Sequence, residues 1–399
     1  MLIKLFSQSF LGSVVYAITQ WLIISSITRI LSLESTGEYA TALGIAVTVN
    51  IFFNFGIRQI TYSSKAESTK YLALPVIFLQ LIGLFVCILI TYFNYHNLIK
   101  LTILIYLFKI IETLTEYKYG LYQQADNHKK IAQSRILRSI SYTCSFIFIL
   151  QITHNINYAV FSMFIINTCL FFIIDKIKIT DFKFIGIDKI KHTFIISGFP
   201  LAITAALLSL RTTSPRYIIE YYMGYSSVGL FVSYLYLINA GGMVIQSWAQ
   251  VIAPQVSRLM NKRLFSELKK KYFSGLSIAI LYSSLAALVF CIFSKEIIHM
   301  IYGEKVEITR HITIALSLLM VITYLSSFNG YMLTAVREFH VQPKIFAGLF
   351  IFSIILVTIA AYMNSIIYIL YVLILTSLLQ LIIVEICFHL KLRILNGNN

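Results

Sequence analysis

The side chains with chemical potential in this sequence are ionisable and amide groups set inside long apolar runs. In the stretch 100–120, KLTILIYLFKIIETLTEYKYG, Lys109, Glu112 and Glu116 recur at i, i+3 and i+7 and share one helical face. That spacing lets Lys109 pair with Glu112 and leaves Glu116 a turn further on. Such a set either guides a polar solute and takes up a proton, or acts as an ion pair that fixes packing. Asn50, Asn54 and Arg58 form a second stripe at i, i+4 and i+8, Asn239, Gln246 and Gln250 a third, and Tyr16 and Gln20 lie one turn apart. Amides between apolar helices hold them together as readily as they bind solute. Arg29 closes one apolar run, and Arg211 and Arg216 close another. Arginine suits bidentate recognition of phosphate, although a lone arginine at a run's end also snorkels to an interface. Arg216 is the strongest of the three, because Pro215 is expected to disrupt the helix beside it and Glu220, one turn on, can orient it.

Other chemistry has no foothold. The chain contains no G-x-x-x-x-G-K-[ST] loop for nucleotide phosphates, no H-E-x-x-H and no G-x-S-x-G. The eight histidines are scattered, and the five cysteines, Cys87, Cys144, Cys169, Cys291 and Cys387, lie in apolar runs without C-x-x-C spacing. Disulfides and metal ligation are not expected, and neither is any cofactor.

The elements that carry these residues follow from composition. Of 399 residues, 58% are hydrophobic and 12% charged, against roughly 45–50% and 25% in ordinary soluble domains. That excludes a soluble single-core enzyme and a disordered chain. Runs of about 20 apolar residues, each long enough to cross a bilayer, fall at 10–31, 38–57, 72–93, 98–121, 131–151, 156–174, 194–214, 228–252, 273–294, 311–334, 344–363 and 366–388. The expected fold is an all-α integral membrane protein of about twelve transmembrane helices.

With the N-terminus cytoplasmic, the cytoplasmic segments hold 24 of the 32 Lys and Arg residues, and the opposite loops 94–97, 152–155 and 364–365 hold none. This bias predicts an N-in/C-in topology. The formal charge of +16 is thereby a topology signal and not a nucleic-acid-binding patch. The polar segment 175–193 lies near the midpoint with six runs on either side. It divides the chain into an N-terminal six-helix bundle (1–174), a cytoplasmic linker (175–193) and a C-terminal six-helix bundle (194–399). An even number of spans per half makes the two bundles parallel pseudo-repeats. The stretch 254–272 sets apolar side chains among six Lys and Arg and is expected to lie on the anionic inner leaflet.

Three stretches resemble the Wzx-type bacterial polysaccharide flippases, relatives of the MATE exporters. In 16–60 the matching residues are Gln20-Trp21, Gly37-Glu38-Tyr39 and Arg58. In 109–138 they are Glu112, Glu116, Tyr119-Gly120, Gln123, Ile131-Ala132, Ser134 and Arg138. In 197–259 they are Gly198, Pro200, Pro215-Arg216-Tyr217, Glu220, Gly224, Gly229, Phe231 and Pro254.

The resemblance implies flipping of an undecaprenyl-diphosphate-linked repeat unit across the bacterial cytoplasmic (inner) membrane for O-antigen (lipopolysaccharide) or capsule synthesis. It also implies alternating access through a partly cationic lumen, coupled to H+ or Na+. The expected substrate-binding residues are Arg216, Arg211, Lys109, Arg29, Arg58, Gln20, Asn54 and Gln246, and the expected coupling or gating residues are Glu112, Glu116 and Glu220. A polysaccharide polymerase and a chain-length regulator are the expected protein partners.

Two other classes compete. A membrane polysaccharide polymerase or ligase would carry a large outer loop with an R-x10-G pattern; the one such match, Arg337 to Gly348, falls on the expected cytoplasmic side. A MATE-like cation exporter would want acidic lumen residues to outnumber basic ones, whereas Glu112 and Glu116 face Lys109, Arg211 and Arg216.

Overall fold

The computed structural model of the chain describes residues 2–63, 72–125, 127–175, 194, 198–336 and 341–397. The expected linker 175–193 lies, beyond Asp175, outside the described residues, as does Arg337. The described residues are helical nearly throughout: α1 (Leu2–Ile30), α2 (Leu33–Asn54), α3 (Ile57–Ser63), α4 (Ala73–Asn94), α5 (Ile99–Gln124), α6 (His128–Thr153), α7 (Ile156–Ile174), α8 (Phe199–Asn261), α9 (Phe265–Tyr302), α10 (Arg310–Ala335), α11 (Val341–Tyr362) and α12 (Ile366–Gly397). Nine segments among them are long and apolar enough to cross a membrane, and α1 adds a shorter apolar stretch, Val14–Ile30. The chain is an all-α, multi-pass membrane protein. In a bilayer this follows from the need to satisfy every backbone N–H and C=O within the segment itself.

The chain forms two compact units, Met1–Glu220 and Tyr221–Asn399. The division falls inside α8, further along than the expected link at 175–193. In the first unit α5 is the hub, packing on α2, α3, α4 and α7, while α1 packs along α6 and α6 along α7. Its centrality explains its composition. Lys109, Thr113, Thr115, Tyr117 and Tyr119 are buried against neighbouring helices, so polar groups that lipid would not tolerate are satisfied by protein. α4 is the opposite case. Phe78, Leu81, Phe85, Tyr92 and Phe93 are exposed, the pattern of a helix with one face turned to hydrocarbon. In the second unit α10 packs against α9 and α12, and α11 packs against α12.

Three element boundaries differ from the sequence expectation. The second run does not continue through residue 57: Phe55 (φ 52°) and Gly56 (φ 61°) take left-handed conformations and separate α2 from α3. The Asn54 side chain accepts from the Ile57 N–H at 3.1 Å and starts α3. Pro215 does not break the seventh run. α8 is continuous past it, and its non-helical residue is Gly224 (φ 77°, ψ 174°). Proline is tolerated within membrane helices where neighbours satisfy the freed carbonyl, whereas that φ, ψ combination belongs essentially to glycine. The eighth run does not end at 252 nor the ninth begin at 273: α8 continues to Asn261, Arg263 turns at φ 55°, and α9 begins at Phe265.

Candidate functional site

The first unit gathers its ionisable residues into four polar clusters. In the first, Lys109 Nζ lies 2.6 Å from Glu112 Oε2, and the Tyr16 hydroxyl donates to Glu112 Oε1 at 3.2 Å. One turn from Tyr16, Gln20 Nε2 donates to the Tyr142 hydroxyl at 3.1 Å, and Tyr142 packs edge-on against Phe108. The i, i+3 pair expected from the sequence is present, and α1 and α6 close around it.

The second cluster is more open. Glu116 accepts from two arginines at once: Arg58 Nη1 on Oε2 at 2.9 Å and Arg135 Nη2 on Oε1 at 2.8 Å. Arg58 also donates from Nε to Gln123 Oε1 at 3.3 Å. Both guanidinium groups stand over the Tyr119 ring. The three charged side chains stay 20–32% exposed. This site holds two cations for one anion. Lys109 and Glu112 are a closed pair by comparison. Arg58 lies here because the Phe55–Gly56 reversal takes it off the Asn50–Asn54 stripe.

From Tyr119 a hydrogen-bond chain runs into the third cluster. The Tyr119 hydroxyl donates to Ser134 Oγ at 3.1 Å, and Ser134 donates to Asp175 Oδ1 at 3.0 Å. Arg138 reaches Asp175 Oδ2 at 3.0 Å and Asn167 Oδ1 at 2.6 Å from Nη2, with Thr115 a further partner. Burial pushes the Asp175 carboxyl up from its ordinary value, against the opposing pull of Arg138 and Ser134. Arg135, Arg138 and Asp175 read in the sequence as charges of cytoplasmic segments. Their pairing across separate helices has no signal in local spacing.

In the fourth cluster Arg216 Nη1 donates to the Ala40 carbonyl at 3.3 Å, while its Nε is buried with no hydrogen-bond partner. The same stretch of α8 makes hydroxyl contacts with α2: Thr48 Oγ1 lies 2.9 Å from Ser209 Oγ, and Thr48 and Thr213 bond the Tyr217 hydroxyl. Glu220 does not orient Arg216 as expected. Its carboxylate is bonded by Tyr95, and no carboxylate among the described residues pairs with Arg216.

The remaining expected site residues are scattered. Asn50 is buried and donates to Gln80 Oε1 at 2.8 Å and Thr113 Oγ1 at 3.0 Å, and Tyr106 bonds the same Gln80 oxygen at 3.1 Å. This is a packing network. Asn54 caps α3 and is not placed with the cations. Arg29 is exposed in the last turn of α1, Arg211 is partly buried in α8, and Gln246 is exposed in the second unit. No group of three or more His, Cys, Asp or Glu side chains suited to a metal occurs among the described residues.

The second unit has one ionisable cluster that sequence reading missed. Glu385 on α12 accepts from Tyr272 of α9 at 2.7 Å and from the Asn329 amide of α10, and its other oxygen lies 2.9 Å from His389 Nε2. The Glu385–His389 spacing, i and i+4 across the end of the last apolar run, was the available signal.

The arrangement of helices matches known transporters. An inward-facing multidrug-resistance MATE-family transporter of the MOP superfamily aligns with a TM-score of 0.72 at 13% identity, covering 98% of this chain and 96% of that one. The lipid II flippase MurJ in an inward closed conformation aligns with a TM-score of 0.71 at 16% identity, covering 96% and 87%. A MOP-superfamily transporter from Pyrococcus furiosus aligns with a TM-score of 0.65 at 13% identity, covering 99% and 96%. These likenesses show a fold shared with those proteins. In sequence, the capsular polysaccharide biosynthesis protein CapF of Staphylococcus aureus is 25% identical over 352 residues, 86% of this chain and 88% of that protein. The family model described as polysaccharide biosynthesis protein matches residues 4–260, and the chain belongs to that family. Fold and family together define a multi-pass membrane protein of the polysaccharide biosynthesis family.

Proposed function

We propose that the chain flips an undecaprenyl-diphosphate-linked oligosaccharide repeat unit from the cytoplasmic to the outer leaflet of the bacterial cytoplasmic membrane, for capsule or O-antigen assembly. The observation that carries this reading is the Arg216 guanidinium. It has one N–H on a backbone carbonyl and a buried Nε without an acceptor. A buried donor without an acceptor calls for a partner, and a diphosphate supplies charged oxygens in the geometry a guanidinium matches. Arg58 and Arg135 add a second cationic position, in which Glu116 occupies the place an anionic headgroup would take. Tyr16, Gln20, Tyr142 and Tyr217 supply the hydroxyls, amides and aromatic faces that suit sugars, while the polyprenyl tail remains in lipid.

The same reading has about twelve spans in two parallel pseudo-repeats, N-in and C-in, working by alternating access coupled to H+ or Na+. No cofactor is required, and a polysaccharide polymerase and a chain-length regulator act on the product. The sequence likeness to the capsular polysaccharide biosynthesis protein CapF supports a polysaccharide headgroup over a drug cation.

The test is deletion of the chromosomal copy, followed by complementation with wild type or Arg216→Ala. Deletion is expected to trap lipid-linked repeat units in the cytoplasmic leaflet, and Arg216→Ala, at normal protein level, to leave them there. Accumulation of single units on the outer face would overturn flipping, and full rescue by Arg216→Ala would overturn the role of this arginine.

A further inference from the structure

Among the described residues of the second unit, the Glu385 cluster is where ionisable side chains meet within the apolar helices. One carboxylate oxygen is held by two neutral donors on two other helices, the Tyr272 hydroxyl at 2.7 Å and the Asn329 amide. Tyr272 and Asn329 are buried, and the hydroxyl lies 3.2 Å from the Asn329 amide oxygen. The second oxygen faces His389 Nε2 at 2.9 Å. His389 is the only ion-pair partner of Glu385 among the described residues. The rings of Tyr272 and Phe388 stack at 4.4 Å, and Phe273 stacks on the His389 imidazole at 6.3 Å.

On α9, Glu267, Lys269 and Lys270 are exposed and Lys271 is partly exposed. α10 carries no charged residue from 312 to 336, α11 carries only Lys344, exposed near its start, and α12 adds Lys391 and Arg393 beyond the histidine. The charge of the cluster is therefore set by one proton. With a neutral imidazole it is −1, and with an imidazolium it is zero. In apolar surroundings that difference is costly, and histidine is the side chain that switches charge between about pH 5 and 8. The pair is also reachable, since the Glu385 and His389 side chains are 32% and 36% exposed while their two neutral partners are buried.

We propose that Glu385 and His389 bind the proton that couples transport, with Tyr272 and Asn329 holding the carboxylate between α9, α10 and α12. This rests on the transporter reading above and moves the coupling position from Glu112, Glu116 and Glu220 to the second unit. A proton from water adds to an imidazole nitrogen, the imidazolium donates to Glu385 Oε1, and release returns the proton to water. Because the carboxylate bridges three helices, the charge change acts directly on their packing.

The chain supplies its own reporter. Trp248 Nε1 donates to the Gly275 carbonyl at 3.1 Å, one turn from Tyr272, and the other of the two tryptophans, Trp21, has a buried indole N–H without an acceptor, so Trp21→Phe removes no hydrogen bond.

In purified full-length Trp21→Phe protein in liposomes, Trp248 emission is expected to show a pH-dependent step. His389→Gln should remove the step, and His311→Gln, a change to an exposed histidine at the other end of α10, should keep it. A step that persists in His389→Gln overturns the proposal, as does the absence of any step in the parent protein. A response to sodium at fixed pH that Glu385→Gln abolishes replaces the proton with a metal cation and also overturns it.

In the same liposomes an imposed pH gradient should speed movement of lipid-linked saccharide several-fold for wild type and leave the rate of His389→Gln unchanged. If wild type moves no such lipid while Trp248 still titrates, the flippase reading fails and the proton site stands.

Discussion

The Arg138 guanidinium lies 3.0 Å from the Asp175 carboxylate, with the two side chains 4% and 0% exposed. The pair joins α6 to the end of α7, and Asn167, Thr115 and Ser134 satisfy the remaining polar atoms. Removing one partner of such a pair leaves a buried charge uncompensated, which costs about 3–5 kcal/mol. Asp175→Ala is expected to lower the melting temperature in detergent strongly, whereas Arg138→Met with Asp175→Leu recovers most of the loss. A single mutant that melts like wild type would show the pair to be dispensable for packing.

Gly120 has a different role in the same unit. A Cβ added there would stand 2.7 Å from Thr61 Cβ and 3.1 Å from the Arg58 carbonyl. The glycine lets α3 approach α5 closely enough for Arg58 to reach Glu116. Gly120→Ala forces the helices apart, at a cost of about 1–3 kcal/mol for overpacking. It is expected to reduce flipping as Arg58→Ala does, and the comparison of those two rates checks it.

Glu116 is gripped by two arginines, so Glu116→Gln releases both. In the proposed cycle the carboxylate closes the Arg58–Arg135 site between turnovers. The substitution is expected to slow transport without altering membrane insertion, and to tighten binding of a soluble diphosphate, measured by calorimetry. Weaker diphosphate binding would show that the carboxylate organises the arginines and does not compete for them.

Legibility in the sequence tracks how local each relationship is. Lys109–Glu112 was readable because three residues along a helix is a contact distance, and the resemblance brought out Arg58 and Glu116 singly. Their pairing was hidden, since it spans 58 residues and depends on the Phe55–Gly56 reversal. The same reversal turned Asn54 from a stripe residue into a helix cap. Asp175 counted as a loop charge because its partner, 37 residues back, is found only by packing α6 on α7. Pro215 drew attention as a breaker, whereas Gly224, matched in the resemblance but not read as a break, carries the non-helical backbone.

Topology has a direct check. The N-in/C-in reading places Arg263, at the turn between α8 and α9, on the cytoplasmic side and Asn364, at the turn between α11 and α12, on the outer side. In a background lacking the native cysteines, Arg263→Cys is expected to resist a membrane-impermeant maleimide in intact cells, and Asn364→Cys to react. The reverse pattern inverts the topology.

Two glycines separate backbone strain from side-chain crowding, because an added Cβ would meet nothing within 4 Å at either Gly224 or Gly330. Gly224 holds φ 77°, ψ 174°, a region that costs an L-residue about 1–3 kcal/mol, so Gly224→Ala is expected to lower the melting temperature despite the open space. Gly330 lies within α10, where alanine is favoured by roughly 0.5–1 kcal/mol, so Gly330→Ala should raise it. Since neither methyl touches anything, opposite shifts in the same detergent can come only from the backbone. If Gly224→Ala matches or exceeds Gly330→Ala in stability, the break at Gly224 is not required and α8 runs straight through it in the variant.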